Sequence, residues 1–242
     1  MPTIAHVANA LNAAPKPVIC LDTCDILEVV QCLGWEKSDG NTPRKVTCIE
    51  SVRQLLDQLA ADPNRVQLVI TDLVHTEWTQ NIPGIREQAE VFVKKIDAIV
   101  GQTYLAAGFV GTVLPLYLPL SGSTLIADLV DLSTKLLNQS IRLDLDDPLN
   151  DLAIARVMKK ERPSHDGHIK DSINFEHYLE LARRLRAGGF ADKIVFVSKN
   201  RKDYWNGTNP VIHPELLAQI DDPAVRLGFF GSISAALGYL KI

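Results

Sequence analysis

Polar and acidic side chains follow three short apolar runs of the chain, at the points where those runs end. The three runs are 17–21, 66–70 and 193–197. Asp22 directly follows the first run, and Glu77 lies about two helical turns beyond the second. The third run is followed by Ser198, Asn200 and Asp203. If the runs are parallel strands, these side chains meet at one edge of a sheet, because ligand sites form outside the carboxyl ends of parallel strands.

Carboxylates that lie close together favour the binding of a cation. They raise each other's pKa unless a cation lies between them. Mg²⁺ and Mn²⁺ prefer such hard oxygen ligands, and a water on the metal can attack a phosphodiester. Asp171, which opens a later helix, adds another carboxylate. The pattern therefore predicts a divalent-metal site for phosphodiester hydrolysis. The alternative is that each residue, taken alone, caps a strand end or forms a turn.

The elements that must position these residues alternate along the chain. The three runs are predicted to be buried strands, and 226–230 a further strand. Apolar residues at helical spacing predict four amphipathic helices, at 25–33, 49–59, 170–186 and 232–240. This alternation predicts an α/β fold in which helices flank a parallel β-sheet.

The middle of the chain reads as helical, with no strand alternation. Asp72 is the expected N-cap of its first helix. Residues 98–127 carry no charge, and we expect a buried helix, a bend and a second helix there. A membrane span is not expected, because Pro115 and Pro119 would remove helix hydrogen bonds that lipid cannot replace.

The composition sets the class of protein. A chain of 242 residues, 46% hydrophobic and 22% charged, is expected to form one globular domain rather than a disordered, collagen-like or coiled-coil protein. The net charge of −4 excludes a broadly basic nucleic-acid coat, although a nuclease with an acidic site remains compatible. Four cysteines without a CxxC pair indicate reduced thiols, and the N-terminus is a poor signal peptide, so we expect a cytoplasmic protein.

Four segments together resemble the PIN-domain family of metal-dependent ribonucleases. They are VICLDTCDIL at 18–27, VITDLVHTEW at 69–78, HIKDSINFEHYLEL at 168–181 and IVFVSKNRKDYW at 194–205. The resemblance is to the larger bacterial branch of the family. It implies a single PIN-like domain over 1–242 with a three-layer α/β/α fold and a helical insertion at about 81–160.

The resemblance also implies roles for individual residues. Asp22, Glu77 and Asp171 would be the main catalytic metal ligands for Mg²⁺ or Mn²⁺, with Asp203 as a further catalytic acid that binds metal directly or through water. Ser198 and Asn200 would support the site, either by hydrogen bonds to its residues or by binding a metal-bound water. This chain departs from the family where Cys24 replaces a frequent Asn and Asn200 replaces a frequent Asp.

Two further sets of residues are tied to the candidate site. Asp25, one turn beyond Asp22, is expected to favour the N-terminus of its helix through the helix dipole or to add negative field at the site. Lys199, Arg201 and Lys202 adjoin the acidic edge and are candidate RNA phosphate contacts. The alternative for these three is an ordinary solvated surface.

The resulting hypothesis is an endoribonuclease that uses Mg²⁺ or Mn²⁺ on single-stranded or structured RNA, as a toxin–antitoxin or defence nuclease. The candidate protein partners are an antitoxin or other operon-encoded protein and a second copy of the chain. The main alternative is a non-catalytic PIN-like module that binds RNA or protein. A haloacid-dehalogenase phosphatase fits less well, because its DxD motif would need an acid one position before Asp25. A DNA nuclease is also compatible, because the metal chemistry alone does not read the 2′-hydroxyl.

Overall fold

Five short strands form one all-parallel sheet in the computed structural model, which describes residues 1–31, 42–164, 166–206 and 211–242. The strands are β1 (Val18–Leu21), β2 (Gln67–Thr71), β3 (Ser140–Leu143), β4 (Ile194–Val197) and β5 (Leu227–Phe230). Their spatial order is β3-β2-β1-β4-β5. The order reverses between β1 and β4, and a parallel sheet binds ligands in the crevice at such a reversal.

The register of the sheet places the ends of β1 and β4 side by side. Leu21, the last residue of β1, pairs with Val197, the last residue of β4. The residues that follow, Asp22 and Ser198, therefore leave the sheet at the same level. β2 ends at the same edge, because its Val69 pairs with Cys20.

Helices cover both faces of the sheet. They are α1 (Ile4–Ala13), α2 (Thr23–Gln31), α3 (Thr42–Ala61), α4 (Asp72–Phe109), α5 (Leu125–Asn138), α6 (Asp147–Lys159), α7 (Ile169–Ala187), α8 (Arg201–Tyr204), α9 (Pro214–Ile220) and α10 (Ile233–Leu240). Ile19 and Leu21 of β1 belong to the core shared with α2 to α5 and α10. Val18 and Cys20 belong to the opposite core with α1, α7 and α9. This arrangement confirms the predicted α/β fold with a parallel sheet between helical layers.

The prediction that the middle of the chain is all helical is wrong. Ser140–Leu143 forms β3, which pairs with β2 at the edge of the sheet. An edge strand needs little apolar sequence, and three of the four residues of β3 are only partly buried. Arg142 in this strand instead forms an ion pair with Asp72.

The predictions for α4 and the uncharged stretch also need correction. The N-cap of α4 is Thr71, whose hydroxyl accepts a hydrogen bond from the Val74 amide at 3.2 Å, while Asp72 is the first helical residue. The uncharged stretch is largely exposed rather than buried: α4 continues to Phe109, and residues 110–119 have no regular secondary structure. No described helix is sufficiently long and apolar to cross a bilayer.

α1 and α3 are two of the helices that differ from the sequence-based expectation. α1 was not predicted, although Ile4, Val7, Ala8 and Leu11 repeat at helical spacing and are buried. Thr3 caps this helix by accepting a hydrogen bond from the His6 amide. α3 starts at Thr42, seven residues before the helix predicted at 49–59, and residues 32–41 lie outside the described part of the chain.

Candidate active site

Asp22 occupies the crevice where the strand order reverses. Its amide donates a hydrogen bond to the Val197 carbonyl at 3.2 Å, which fixes the backbone just beyond β1 against the end of β4. Its Oδ1 accepts a hydrogen bond from the Thr23 amide at 2.7 Å. Its Oδ2 accepts one from the Ser198 hydroxyl at 2.6 Å. The buried carboxylate is therefore held by residues that follow the two central strands, Thr23 after β1 and Ser198 after β4.

Glu77 reaches the same edge from the second turn of α4. Its Oε2 accepts a hydrogen bond from the Thr23 hydroxyl at 2.6 Å. The Thr23 residue thus contacts Asp22 through its amide and Glu77 through its side chain. The other oxygen of Glu77 forms an ion pair with Lys170 Nζ at 2.8 Å. Lys170 lies at the start of α7, so this pair also ties α4 to α7.

Asp171 and Asp203 are joined by one amide group. Asn200 Nδ2 donates hydrogen bonds to Asp171 Oδ1 at 3.0 Å and to Asp203 Oδ2 at 2.8 Å. The backbone N–H of Asn200 in turn donates to the Ser198 hydroxyl at 3.2 Å. Tyr204, which is fully buried, donates its hydroxyl to the Asp171 carbonyl at 3.0 Å. The turn after β4 therefore orients the first turn of α7.

The electrostatics show that these carboxylates act on one another. Burial raises the pKa of Asp171 to about 8, with further raising by the charges of Asp22, Asp203 and Glu77 and an opposing effect of the Asn200 hydrogen bond. Burial also raises the pKa of Asp22, while hydrogen bonds from Ser198 and Thr23 lower it and the charge of Glu77 raises it. Four carboxyl groups from separate parts of the sequence thus share one electrostatic environment.

Asp25 lies deeper than these four, in the first turn of α2. It is almost fully buried, and among the described residues its Oδ1 has no hydrogen-bond partner. Its Oδ2 accepts a weak hydrogen bond from the Cys24 thiol at 3.5 Å. Burial and the charge of Asp22 raise the pKa of Asp25, and the charge of Lys199 lowers it. Asp25 therefore lies at the predicted helix start, and burial and the charge of Asp22 favour its neutral form.

The three predicted phosphate contacts have different surroundings. Lys199 forms an ion pair with Glu28, next to the interior around Asp25. Lys202 is exposed and pairs with Asp166. Arg201 is exposed and stacks its guanidinium 5.9 Å from the centre of the Trp205 ring. Arg201 and Lys202 thus lie on the surface near the acidic edge, whereas Lys199 forms a partly buried ion pair with Glu28.

The donor chemistry of the site fits a hard divalent cation. Buried carboxylates that raise one another's pKa are relieved when a cation lies between them. The side chains that now fill this role are neutral or cationic donors: Ser198 on Asp22, Lys170 on Glu77, and Asn200 on two acids. As they stand, the described residues include no group of three His, Cys, Asp or Glu side chains arranged to hold a metal ion. A bound cation would therefore compete with the Lys170 ammonium for Glu77.

Two residues of the site were not assigned by sequence reasoning. Thr23 follows Asp22 directly, and its position after a strand is equally typical of an ordinary turn. Lys170 precedes Asp171, and a basic residue at the start of a helix gives no indication that it reaches Glu77, 93 positions earlier in the sequence. The only sequence feature that links Lys170 to the site is that it directly precedes Asp171, a predicted site residue.

Comparison with known proteins identifies the family of this fold. A family model described as PIN domain matches residues 19–204. No curated protein and no solved structure matches the chain significantly. The match runs from β1 to α8, so it includes the crevice between β1 and β4 and every acid described above. Because it covers well over half of the 242 residues, the chain belongs to the PIN-domain family.

Proposed function

We propose that this protein is a metal-dependent endoribonuclease that hydrolyses RNA phosphodiester bonds. The observation that carries the proposal is the meeting of Asp22, Glu77, Asp171 and Asp203 in one electrostatic environment at the carboxyl edge of the sheet. If each acid only capped its own strand or turn, the four carboxyl groups would not be expected to lie together. PIN domains are usually nucleases, and family membership supports the same activity.

The four acids are the proposed ligands of Mg²⁺ or Mn²⁺, both of which favour carboxylate oxygens. When bound, such an ion supplies an activated water and stabilises charge on the phosphate oxygens. Asp25 is almost fully buried beside Asp22 and would add negative field at the site when it is ionised.

The remaining residues of the site position these acids and the substrate. Ser198 and Thr23 fix both oxygens of Asp22, so the carboxylate presents one defined face. Asn200 keeps Asp171 and Asp203 next to each other. Lys170, Arg201 and Lys202 are the cationic groups near the edge that would contact RNA phosphates, and phosphate contacts of this kind make binding depend on salt.

The proposed wider setting rests on the family resemblance alone. We propose that the protein is a cytoplasmic toxin–antitoxin or defence nuclease of the larger bacterial PIN branch. Its protein partner would be an antitoxin or another operon-encoded protein. We propose that 1–242 form a single PIN-like domain and that about 81–160 are its inserted segment, which also supplies the edge strand β3.

A second candidate function is supported by one specific observation. Asn200 is an amide that bridges two acids, and the described residues hold no preassembled three-ligand group. A non-catalytic PIN-like module that binds RNA or protein would have this arrangement. Such a module would bind RNA equally well with EDTA and with metal, and it would release no cleaved product.

The experiment that separates these functions is cleavage of end-labelled single-stranded RNA, structured RNA and DNA of the same sequence. Each substrate is incubated with Mg²⁺, Mn²⁺ or EDTA. The proposal expects cleavage of RNA with metal and none with EDTA. Cleavage of DNA at the same rate would change the substrate to nucleic acid in general, and RNA binding without cleavage under every condition would favour the binding module.

A further inference from the structure

Cys24 lies in the first turn of α2, close to two carboxyl groups. Its Sγ is 3.4 Å from Oδ2 of Asp22 and 3.5 Å from Oδ2 of Asp25. The hydroxyl oxygen of Ser198 is 3.8 Å from the same sulfur. Cys24 is only partly buried, whereas both acids are buried, so solvent reaches this group through the thiol. Cys24, Asp22 and Asp25 are called the thiol–carboxylate cluster below.

The single thiol proton of Cys24 cannot serve both acids at once. A cysteine has one S–H group, which is a weak donor. At most one of the two sulfur–oxygen contacts is therefore a hydrogen bond that the thiol donates. A cation in place of that proton would interact favourably with the sulfur and with both carboxylates.

Asp25 gives independent evidence that the cluster is short of a partner. Its side chain is buried, with only 1% of the residue exposed. Among the described residues its Oδ1 has no hydrogen-bond partner, although its Oδ2 is in contact with the Cys24 sulfur. The nearby ammonium group of Lys199 is paired with Glu28 instead. A buried polar atom without a partner costs free energy, and coordination to a cation would remove that cost.

The distances within the cluster match those between ligands of one tetrahedral ion. Zn²⁺ binds thiolate sulfur at about 2.3 Å and carboxylate oxygen at about 2.0–2.2 Å, which places sulfur and oxygen about 3.5–3.7 Å apart in a tetrahedron. The two observed sulfur–oxygen distances are 3.4 and 3.5 Å. No three His, Cys, Asp or Glu side chains of the described residues are already arranged to hold an ion. Binding would therefore change the side-chain torsions of the cluster.

We propose that Cys24, Asp22 and Asp25 bind a thiophilic divalent cation, for which Zn²⁺ is the best fit. Thiolate sulfur is a soft ligand that favours Zn²⁺, whereas Mg²⁺ and Mn²⁺ favour oxygen ligands. Coordination releases the thiol proton to solvent, together with the proton of Asp25 where that carboxyl is neutral. A water completes the four ligands, as it does at zinc sites with three protein ligands.

The cluster shares Asp22 with the proposed Mg²⁺ or Mn²⁺ site. Cys24 and Ser198 both contact Oδ2 of Asp22, while the Thr23 amide holds Oδ1. Zn²⁺ bound to Oδ2 would therefore compete with Mg²⁺ or Mn²⁺ for this carboxylate and inhibit cleavage. This consequence rests on the proposed function, whereas the ligand set of the cluster does not.

The test is a titration of the full chain with Co²⁺, followed by absorbance. A thiolate bound to Co²⁺ gives a sulfur-to-metal charge-transfer band in the near ultraviolet. The protein is first freed of metal with EDTA, which is then removed, and its thiols are kept reduced with a phosphine. The wild type should give the band and Cys24→Ser should not. The matched control is Cys48→Ser on α3, another partly buried thiol, which should keep the band.

Calorimetric titration then measures the affinity for each metal. Cys24→Ser should raise the Zn²⁺ dissociation constant by at least about tenfold, because a hydroxyl is a poorer ligand for this ion than a thiolate. Its Mg²⁺ dissociation constant should change by less than about threefold, since Mg²⁺ does not favour sulfur. Asp25→Asn should keep the Co²⁺ band but weaken Zn²⁺ binding by at least about tenfold, because a charged ligand becomes neutral.

Several results would overturn the proposal. They are a wild type without the band, a band that Cys24→Ser retains, and a band that Cys48→Ser loses. An equal loss of Zn²⁺ and Mg²⁺ affinity in Cys24→Ser would mean that the thiol only orients Asp22. Unchanged Zn²⁺ affinity in Asp25→Asn would remove Asp25 from the ligands. Circular dichroism of each variant would separate the loss of a ligand from unfolding.

RNA cleavage is measured separately, so that the two proposals can fail independently. A wild type that shows the band but cleaves no RNA with any metal would support the thiol–carboxylate cluster and contradict the proposed function. If the wild type cleaves RNA with Mg²⁺, added Zn²⁺ should inhibit it, and the inhibitory concentration should rise by at least about tenfold in Cys24→Ser. Inhibition at the same Zn²⁺ concentration in both proteins would contradict competition through the cluster.

Discussion

The Ser198 hydroxyl donates a 2.6 Å hydrogen bond to Oδ2 of Asp22 across 176 positions of sequence. This bond joins the first residues beyond β4 and β1, the two strands at which the order of the sheet reverses. Asp22 is therefore correctly oriented only when the centre of the sheet is complete. The arrangement makes Ser198 a positioning residue whose effect on the site can be measured separately from its effect on folding.

Replacing Ser198 by Ala should weaken divalent-metal binding by about 10- to 100-fold, because a supporting hydrogen bond to a metal ligand is lost. Cleavage at limiting Mn²⁺ should fall in parallel and recover at high Mn²⁺. Isothermal titration with Mn²⁺ measures the binding. The matched control is Ser140→Ala, which removes a hydroxyl that donates to the Leu136 carbonyl, away from the site. Equal metal affinity in the two variants would contradict the positioning role.

Lys170→Met should tighten metal binding in the absence of RNA. The ammonium group of Lys170 lies 2.8 Å from Glu77 Oε1 and competes with a cation for that oxygen. A unit charge at this distance in a solvated site is worth about 1 kcal/mol, so we expect about a fivefold lower dissociation constant for Mn²⁺.

The control for this comparison is Lys135→Met, which removes an ion pair with Asp131 on the exposed face of α5. Its metal affinity should match that of the wild type. Weaker Mn²⁺ binding in Lys170→Met would show instead that the lysine supports the site in its metal-bound form.

The stability of the metal-free protein should fall as pH rises between about 4 and 8. The pKa of Asp171 is raised from 3.8 to about 8, chiefly by burial and by the charge of Asp22. Within this window the folded state holds a proton that the unfolded state has lost. Raising the pH therefore favours unfolding. The melting temperature in EDTA should drop across the window, and Mg²⁺ should restore part of it at pH 8.

The variant Asp171→Asn provides the control for this pH dependence, because it cannot ionise at this position. Its melting temperature should change less between pH 5 and about 8 than that of the wild type, because residue 171 then no longer gains or loses a proton on unfolding. An unchanged slope would mean that Asp171 keeps its ordinary pKa in the folded protein.

Tyr178→Phe should destabilise the fold by about 1–2 kcal/mol, because it leaves a buried carbonyl without its hydrogen bond. The Tyr178 hydroxyl donates to the Leu21 carbonyl at 2.7 Å, one residue before Asp22, and the side chain is fully buried. Urea denaturation measures the free energy of unfolding. Tyr239→Phe, at a ring that is 46% exposed, should change it by much less. A similar loss in both variants would indicate that the buried bond contributes no more than a surface hydroxyl.

The central strands were predictable because both of their faces are buried. β1, β2 and β4 consist of nearly continuous apolar residues, the usual composition of strands covered by helices on both sides. β3 lacks this signal because it lies at an edge and places Arg142 against Asp72. The exposure of the uncharged stretch at 98–127 was not predictable either, since an apolar sequence does not show whether it is buried in its own domain.

The acids of the site were predictable from their positions after strands, whereas their partners were not. Asp22 and Asp171 follow directly from the reading of strand ends and helix starts. The bond from Thr23 to Glu77 and the ion pair from Lys170 to Glu77 depend on how α4 crosses the sheet. The way α4 crosses the sheet is determined by packing in the core, and this packing cannot be read from the local sequence.

The most direct test of the account is RNA cleavage by Asp22→Asn beside the wild type, with Mn²⁺, Mg²⁺ or EDTA. Asn keeps the size of the side chain and removes the charge that the other acids sense at this position. We expect metal-dependent cleavage by the wild type, a loss of at least about 1,000-fold in the variant, and a retained fold by circular dichroism. Cleavage by Asp22→Asn at the wild-type rate would contradict the assignment of this edge of the sheet as the active site.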